Sequence, residues 1–344
     1  MSIASVKALL LPILGTRYWG LGRVFLTQCP MPNAQCPIPY TMPRFLRLII
    51  NIVVLSALLL ISQQVWAQVW RPVRGGIPFG ISGMALIEQQ SNTLDFLIAH
   101  DNKQKNQGRL AIIRIKGKNQ PEYFPLTWPN NIELPIDLEA LTSVPEKTKS
   151  SFIALSSSGK AYYIRLEPAN KTISIIKEFN LPGIIQGNNF EAFGLQNIEG
   201  KLVAIWGHRG EGEQPATIFW GMFDLAKYQI TLAGSANLKV PFPSGKVRHI
   251  SDIKVDPVGI VYITSASDAG DDGPFQSAVY VAGYLGLRGN KIVWRQNPQL
   301  VPLYRSDYHK IEGMELVPGA EGGVIVGTDD ENLGSYVYIL GGSS

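Results

Sequence analysis

The sequence predicts an all-β protein, most simply a β-propeller of five four-stranded blades closed between its N- and C-terminal strands. Three observations lead there. After Gln68 the chain is a succession of short apolar runs rich in β-branched and aromatic residues. Phe96-Leu-Ile-Ala99, Leu202-Val-Ala-Ile-Trp206 and Tyr336-Val-Tyr-Ile-Leu340 are examples, each bounded by Gly, Pro, Asn or Asp. The same stretch has no convincing run of helical periodicity. Finally, a short segment with an acidic or small polar residue leads into an apolar strand five times. Its marks are Ser82, Glu139, Glu191, Asp252 and Glu312, spaced by 57, 52, 61 and 60 residues.

The entries read, in order, Ile81-Ser-Gly-Met-Ala-Leu86, Asp137-Leu-Glu-Ala-Leu141, Phe190-Glu-Ala-Phe193, Ile250-Ser-Asp-Ile253 and Ile311-Glu-Gly-Met314. After each come a hydrophobic strand, a polar loop, a third strand and a weaker fourth. A four-stranded unit of that length is a propeller blade, whose radial repetition leaves only short protected edges. Five such units account for residues 68–344, and six is the alternative if one repeat is degenerate. The last unit stops one strand short after Leu340. The segment Gln68 to Pro78 is predicted to supply that strand and close the ring.

Residues 1–67 are a different kind of sequence. They hold no Asp or Glu, five basic residues and both cysteines, Cys29 and Cys36. Leu48 to Ile61 is an uncharged apolar stretch of 14 residues, short of the roughly 20 that span a bilayer. Met42-Pro-Arg-Phe-Leu-Arg47 precedes it as a basic n-region, and Val65-Trp66-Ala67 follows as a cleavage site. The expectation is a signal peptide over 42–67, with 1–41 as an upstream extension. The 68–344 domain would be periplasmic or secreted. The alternative is an uncleaved signal anchor, the only membrane attachment foreseen. The formal charge of +4 belongs to this leader: residues 68–344 carry 26 basic and 27 acidic side chains and no cysteine. Composition excludes a disordered polyelectrolyte, a coiled coil and a disulfide scaffold. The basic stretch Lys103–Lys118 lacks interleaved aromatics, so no nucleic-acid partner is expected.

In a propeller the loops entering the innermost strands open on the same face as the loops between second and third strands. That face would gather Asp137, Glu139, Glu191, Asp252 and Glu312 around the channel. All four histidines (His100, His208, His249 and His309) fall in the same loops. Converging carboxylates repel unless a cation or protons neutralise them, and Ca²⁺ takes six to eight such oxygens. Glu139, Glu191, Asp252 and Glu312 are therefore the candidate metal ligands. The alternative is that these acids hydrogen-bond neighbouring backbone and hold the ring together. Asp329-Asp330-Glu331 and the Asp268–Gly273 cluster read as solvated turns. No nucleophile elbow, metalloprotease His pair or Walker or Rossmann glycine pattern is present.

Together, Asp137-Leu-Glu-Ala-Leu141, Asn188-Asn-Phe-Glu-Ala192 and Ile311-Glu-Gly-Met314 resemble the phytase-like propeller family, the bacterial group described as having the esterase-like activity of phytase. The resemblance runs from about Gly80 to Leu340. It implies a propeller with possible phosphate- or carboxylic-ester hydrolysis on a small anionic ligand, acting as a monomer. In that reading His208 or His309 transfers the proton, and Arg209 or Arg248 stabilises developing negative charge. The competing expectation is a non-catalytic periplasmic binding or scaffold propeller.

Overall fold

The computed structural model describes residues 70–145, 150–185, 187–318 and 323–340, together with Phe45 and Ile49. The expected signal peptide, its expected cleavage site and the expected upstream extension lie outside the described residues, those two positions apart. Chain contacts divide between Ala67 and Gln68, and the propeller belongs to the second unit.

The strand order is that of five antiparallel blades. A short strand β1 (Arg71–Arg74) comes first. Blade 1 follows with β2 (Gly83–Gln90), β3 (Thr93–Ala99), β4 (Leu110–Lys116) and β5 (Glu122–Leu126). Blade 2 is β6 (Leu138–Ser143), β7 (Ser151–Ser156), β8 (Lys160–Glu167) and β9 (Thr172–Asn180). Blade 3 is β10 (Phe190–Ile198), β11 (Lys201–His208), β12 (Ala216–Asp224) and β13 (Gln229–Leu238). Blade 4 is β14 (Val247–Val255), β15 (Ile260–Ser267), β16 (Ser277–Arg288), β17 (Lys291–Gln296) and an added β18 (Pro302–Ser306). Blade 5 is β19 (Ile311–Val317), β20 (Gly323–Thr328) and β21 (Ser335–Leu340), completed by β1. That completion pairs Arg71 with Val337 and Pro72 with Tyr336, closing the ring as the sequence predicts. The fifth strand of blade 4 is not foreseen. Its basis is the 12-residue length of β16, which seats β18 on one half and β17 on the other.

Burial explains why the apolar runs do not alternate. Five hydrophobic clusters lie between consecutive blades, so the inner strands are covered on both faces. In β7, Phe152 and Ala154 face the cluster shared with blade 1, and Ile153 and Leu155 face the one shared with blade 3. Each such side chain contributes about 1.5–3 kcal/mol by leaving water. The outer strands have one covered face at most, and β9 and β13 are largely exposed or half-buried.

The inner strands of blades 1 and 2 approach closely at Gly83. A Cβ on Gly83 would fall 2.7 Å from Leu141 N and 2.9 Å from Ala140 C, both backbone atoms. Gly83→Ala should therefore push the two inner strands apart and cost about 1–3 kcal/mol, read as a lower denaturant midpoint at unchanged slope. An unchanged midpoint would mean the interface yields without cost.

Candidate functional site at the channel mouth

The entry glutamates owe their aim to β-bulges. Opposite Ser156 and Leu155 stand Leu138 and Ala140, leaving Glu139 as the extra residue. Glu191 is extra between Phe190 and Ala192, and Glu312 between Ile311 and Gly313. A bulge re-aims a side chain that regular pleating would direct into the flanking layer. Glu139, Glu191 and Glu312 are all buried.

They are joined by acids from neighbouring loops. Asp101, from the β3–β4 loop, and Asp137, just before β6, have carboxylate oxygens within 4.8 Å of each other and of one from Glu139. Asp137 occupies the left-handed region at φ 64 and accepts a hydrogen bond from Ser157 Oγ at 2.6 Å. Asp329 is 2% exposed and backs onto Gly80, where a Cβ would lie 2.1 Å from Asp329 Oδ1. A side chain at Gly80 would displace it.

Cations interleave on the blade 3 to blade 5 side. Arg209 Nη1 donates to Glu191 Oε1 at 3.2 Å. Arg248 Nη1 donates to Glu312 Oε1 at 2.9 Å, and its Nη2 to Asp268 Oδ2 at 3.3 Å. Lys310 Nζ lies 3.2 Å from Glu312 Oε1 and 2.5 Å from Glu331 Oε1. Burial opposes the charge on Arg248 and Lys310, but Glu312 and its neighbours outweigh it and raise both pKa values.

The blade 1 to blade 2 side lacks that balance. Its cation contact is Lys103 Nζ, 2.9 Å from Asp137 Oδ1, on a largely exposed side chain. Glu139, 7% exposed, has neither a hydrogen bond nor an ion pair among the described residues. Burial first, then Glu191, Asp137, Asp101 and Glu312, raise its pKa well above the usual carboxylate range. Asp101 is pushed up to about 6 by burial and by Glu312. At the equivalent entry of blade 1, Ser82 has a buried hydroxyl with no hydrogen-bond partner among the described residues.

Asp252 is not in this group. It is fully buried, 3.1 Å from Lys254 Nζ, and accepts the backbone N–H groups of Ile253 and Met314. Lys254 reaches from blade 4 to donate to Leu141 O of blade 2 at 2.9 Å. Glu315 accepts the N–H of Leu86 from blade 1 at 3.2 Å. These three charged side chains tie together the inner strands of blades 1, 2, 4 and 5. Lys254, Glu315 and Lys310 escaped the sequence reading. The available signal was a charged residue two or three places from an entry acid, inside an inner strand for Lys254 and Glu315 and just before one for Lys310.

The histidines hold loops. His100 Nδ1 is 2.5 Å from Gly80 O, and burial lowers its pKa to about 4. His208 Nδ1 sits 3.0 Å from the backbone N and 2.9 Å from the backbone O of Asn189. His249 Nε2 is 2.9 Å from Gly212 O. His309 Nδ1 is 2.6 Å from Asp330 Oδ2, and its ring packs, tilted by 37°, with its centroid 4.2 Å from that of Trp70. His309 and Lys310 thus face opposite ways, as do Asp330 and Asp329. The structure brings Glu139, Glu191, Glu312, Arg209 and Arg248 together. It leaves His208 and His309 without a hydrogen bond to any mouth carboxylate among the described residues. Asp329 and Asp330 are buried, not a solvated turn, because Lys310, His309 and Thr328 engage them.

No family model and no curated protein matches the sequence. Solved structures with a similar backbone include an exo-β-1,3-galactanase from Clostridium thermocellum, at TM-score 0.48 and 10% identity over 80% of this chain and 64% of that one. Another is an arabinanase from Bacillus subtilis, at 0.46 and 9% over 77% of this chain and 94% of that one. The Bacteroides ovatus xyloglucan PUL protein GH43B gives 0.48 and 13% over 78% and 53%. The chain spans less than two thirds of the first and third of these. Identities near a tenth and TM-scores below 0.5 say nothing of what this chain binds. Its propeller architecture rests on its own strand order, and that architecture is the part of the phytase-like resemblance now established.

Proposed function

We propose that this chain is a binding propeller whose channel mouth takes up a hard divalent cation, Ca²⁺, between Asp101, Asp137 and Glu139. The supporting observation is Glu139 itself. A buried carboxylate without a hydrogen bond or cation is costly, and this one has two more carboxylates within 4.8 Å. Oxygen donors in that number and of that charge suit Ca²⁺, whose remaining coordination positions would accept an anionic ligand. The exported location expected from residues 42–67 would expose the site to free Ca²⁺.

Calorimetric titration of the 68–344 domain with CaCl₂ tests this. Saturable one-site binding is expected, and it should weaken at least tenfold in Glu139→Gln while Glu88→Gln, far from the mouth, binds normally. Absence of heat and of any calcium-dependent rise in melting temperature would refute the proposal.

Ester hydrolysis is a second reading with one observation in its favour. Arg209 and Arg248 stand at the same mouth on Glu191 and Glu312, where their guanidinium groups would stabilise negative charge developing on an ester held by the ion. Turnover of generic phosphate or carboxylic esters in calcium, lost in chelator, is the expected result. No turnover in either condition would leave the protein a binding module.

A further inference from the structure

The face around the mouth carries apolar side chains as well as charge. Ile77 lies in the entry to blade 1, Ile136 in that to blade 2, Ile184 and Ile185 in that to blade 3 and Tyr308 in that to blade 5. Leu333 lies in the β20–β21 loop of the same face. Ile136, Ile185 and Tyr308 are 61%, 69% and 72% exposed. Of the twelve large apolar side chains exposed on the described propeller, these are six, whereas the turns of the opposite face carry one, Val258. Single exposed apolar residues need no explanation. Apolar positions at the entries of four blades, on the face that also collects the acids, do.

The charge at the centre says what such a surface fits. Asp101, Asp137, Glu139, Glu191, Asp268, Glu312, Asp329 and Glu331 outnumber Lys103, Arg209, Arg248 and Lys310. Glu139 is more than nine-tenths buried and has no hydrogen bond or ion pair among the described residues. A ligand covering both features must be cationic at its centre and apolar on its flanks. It must also be long enough to reach from the channel to the entry loops.

We propose that this face docks a protein segment that inserts a lysine or arginine side chain into the mouth and lays apolar residues on the rim. A desolvated cation meeting an unpaired carboxylate inside an apolar ring is the arrangement of an interface hot spot. The opposed signs fix the register of the segment. The inference rests on the same excess of negative charge as the calcium proposal but requires no bound ion, and Ca²⁺ would compete with the inserted side chain.

Selection of displayed random twelve-residue peptides on the 68–344 domain in chelator is the test. Enriched peptides are expected to carry a Lys or Arg between apolar residues and to lose at least tenfold in affinity when that residue becomes norleucine. They should weaken tenfold or more on an Ile136→Ser/Ile185→Ser variant, whose exposed sites leave the melting temperature unchanged. Millimolar Ca²⁺ should displace them. No enrichment, a motif without a basic residue, or binding indifferent to the rim variant would overturn the proposal. A failed calcium titration would not, because the selection is made without the ion.

Discussion

Lys254→Met should cost the fold about 3–5 kcal/mol, the usual loss when one partner of a buried ion pair is removed. The ammonium is 4% exposed and the carboxylate of Asp252 fully buried. Taking the ammonium away leaves Asp252 and Glu315 unneutralised at the channel centre and frees Leu141 O. Methionine fills most of the volume, so the effect isolates charge from packing. The double variant Lys254→Met/Asp252→Asn should recover about half, since Asn keeps an acceptor for Met314 N–H without the charge. Denaturant unfolding measures both. A single variant as stable as the parent would show that the cross-channel contact carries no stability.

The second large effect is on pH. Asp101, Glu139 and Asp329 all have raised pKa values, burial being the first cause in each. A carboxyl group that holds its proton more tightly folded than unfolded stabilises the fold at low pH. That contribution is lost as pH rises from the unfolded value toward the folded one. For Asp101 the window runs from about 4 to about 6, and Glu139 and Asp329 carry it higher. Exposed Glu122, Glu213 and Asp224, lowered by lysine partners, act in the opposite direction at the acid end. His100, lowered to about 4 by burial, opposes the fall across the window but is one group against three. In chelator, therefore, stability should fall between pH 4 and 7, and Ca²⁺ at pH 7 should restore it. Glu139→Gln should flatten the profile. Stability that climbs steadily from pH 4 to 7 in chelator would contradict the raised values.

The architecture was legible because period and length are properties of sequence. Strands buried on both faces read as unbroken apolar runs, and the five entries repeat at blade length. Three of the entry acids could be placed at the mouth because the same bulge recurs at Glu139, Glu191 and Glu312. Asp252 was aligned with them by spacing. In blade 4 the register skips from Arg248 to Asp252, and the carboxylate is carried down to Lys254. The surroundings of the histidines were hidden for a different reason. Their partners are mostly backbone atoms, of Gly80, Asn189, Gly212 and Val240, together with Tyr123 and Asp330, and a backbone atom's position is not written in residue identity. Asp101 was visible only as a loop acid, since its neighbours in space come from β6 and β19.

The closing contact between β1 and β21 joins residues made at opposite ends of synthesis. Arg71 leaves the ribosome long before Val337, its partner. A loop of that size adds only a slowly growing entropic cost, but it cannot close until blade 5 exists. Blades 1 to 4 can each complete their own four strands as they emerge, leaving an open crescent with β1 unpaired at one end. The carboxylates of Glu312 and Asp329 join Asp101 and Asp137 only when that crescent shuts. A half-made chain can gather Asp101, Asp137 and Glu139 from blades 1 and 2, but the ring of charge around them is completed only on closure.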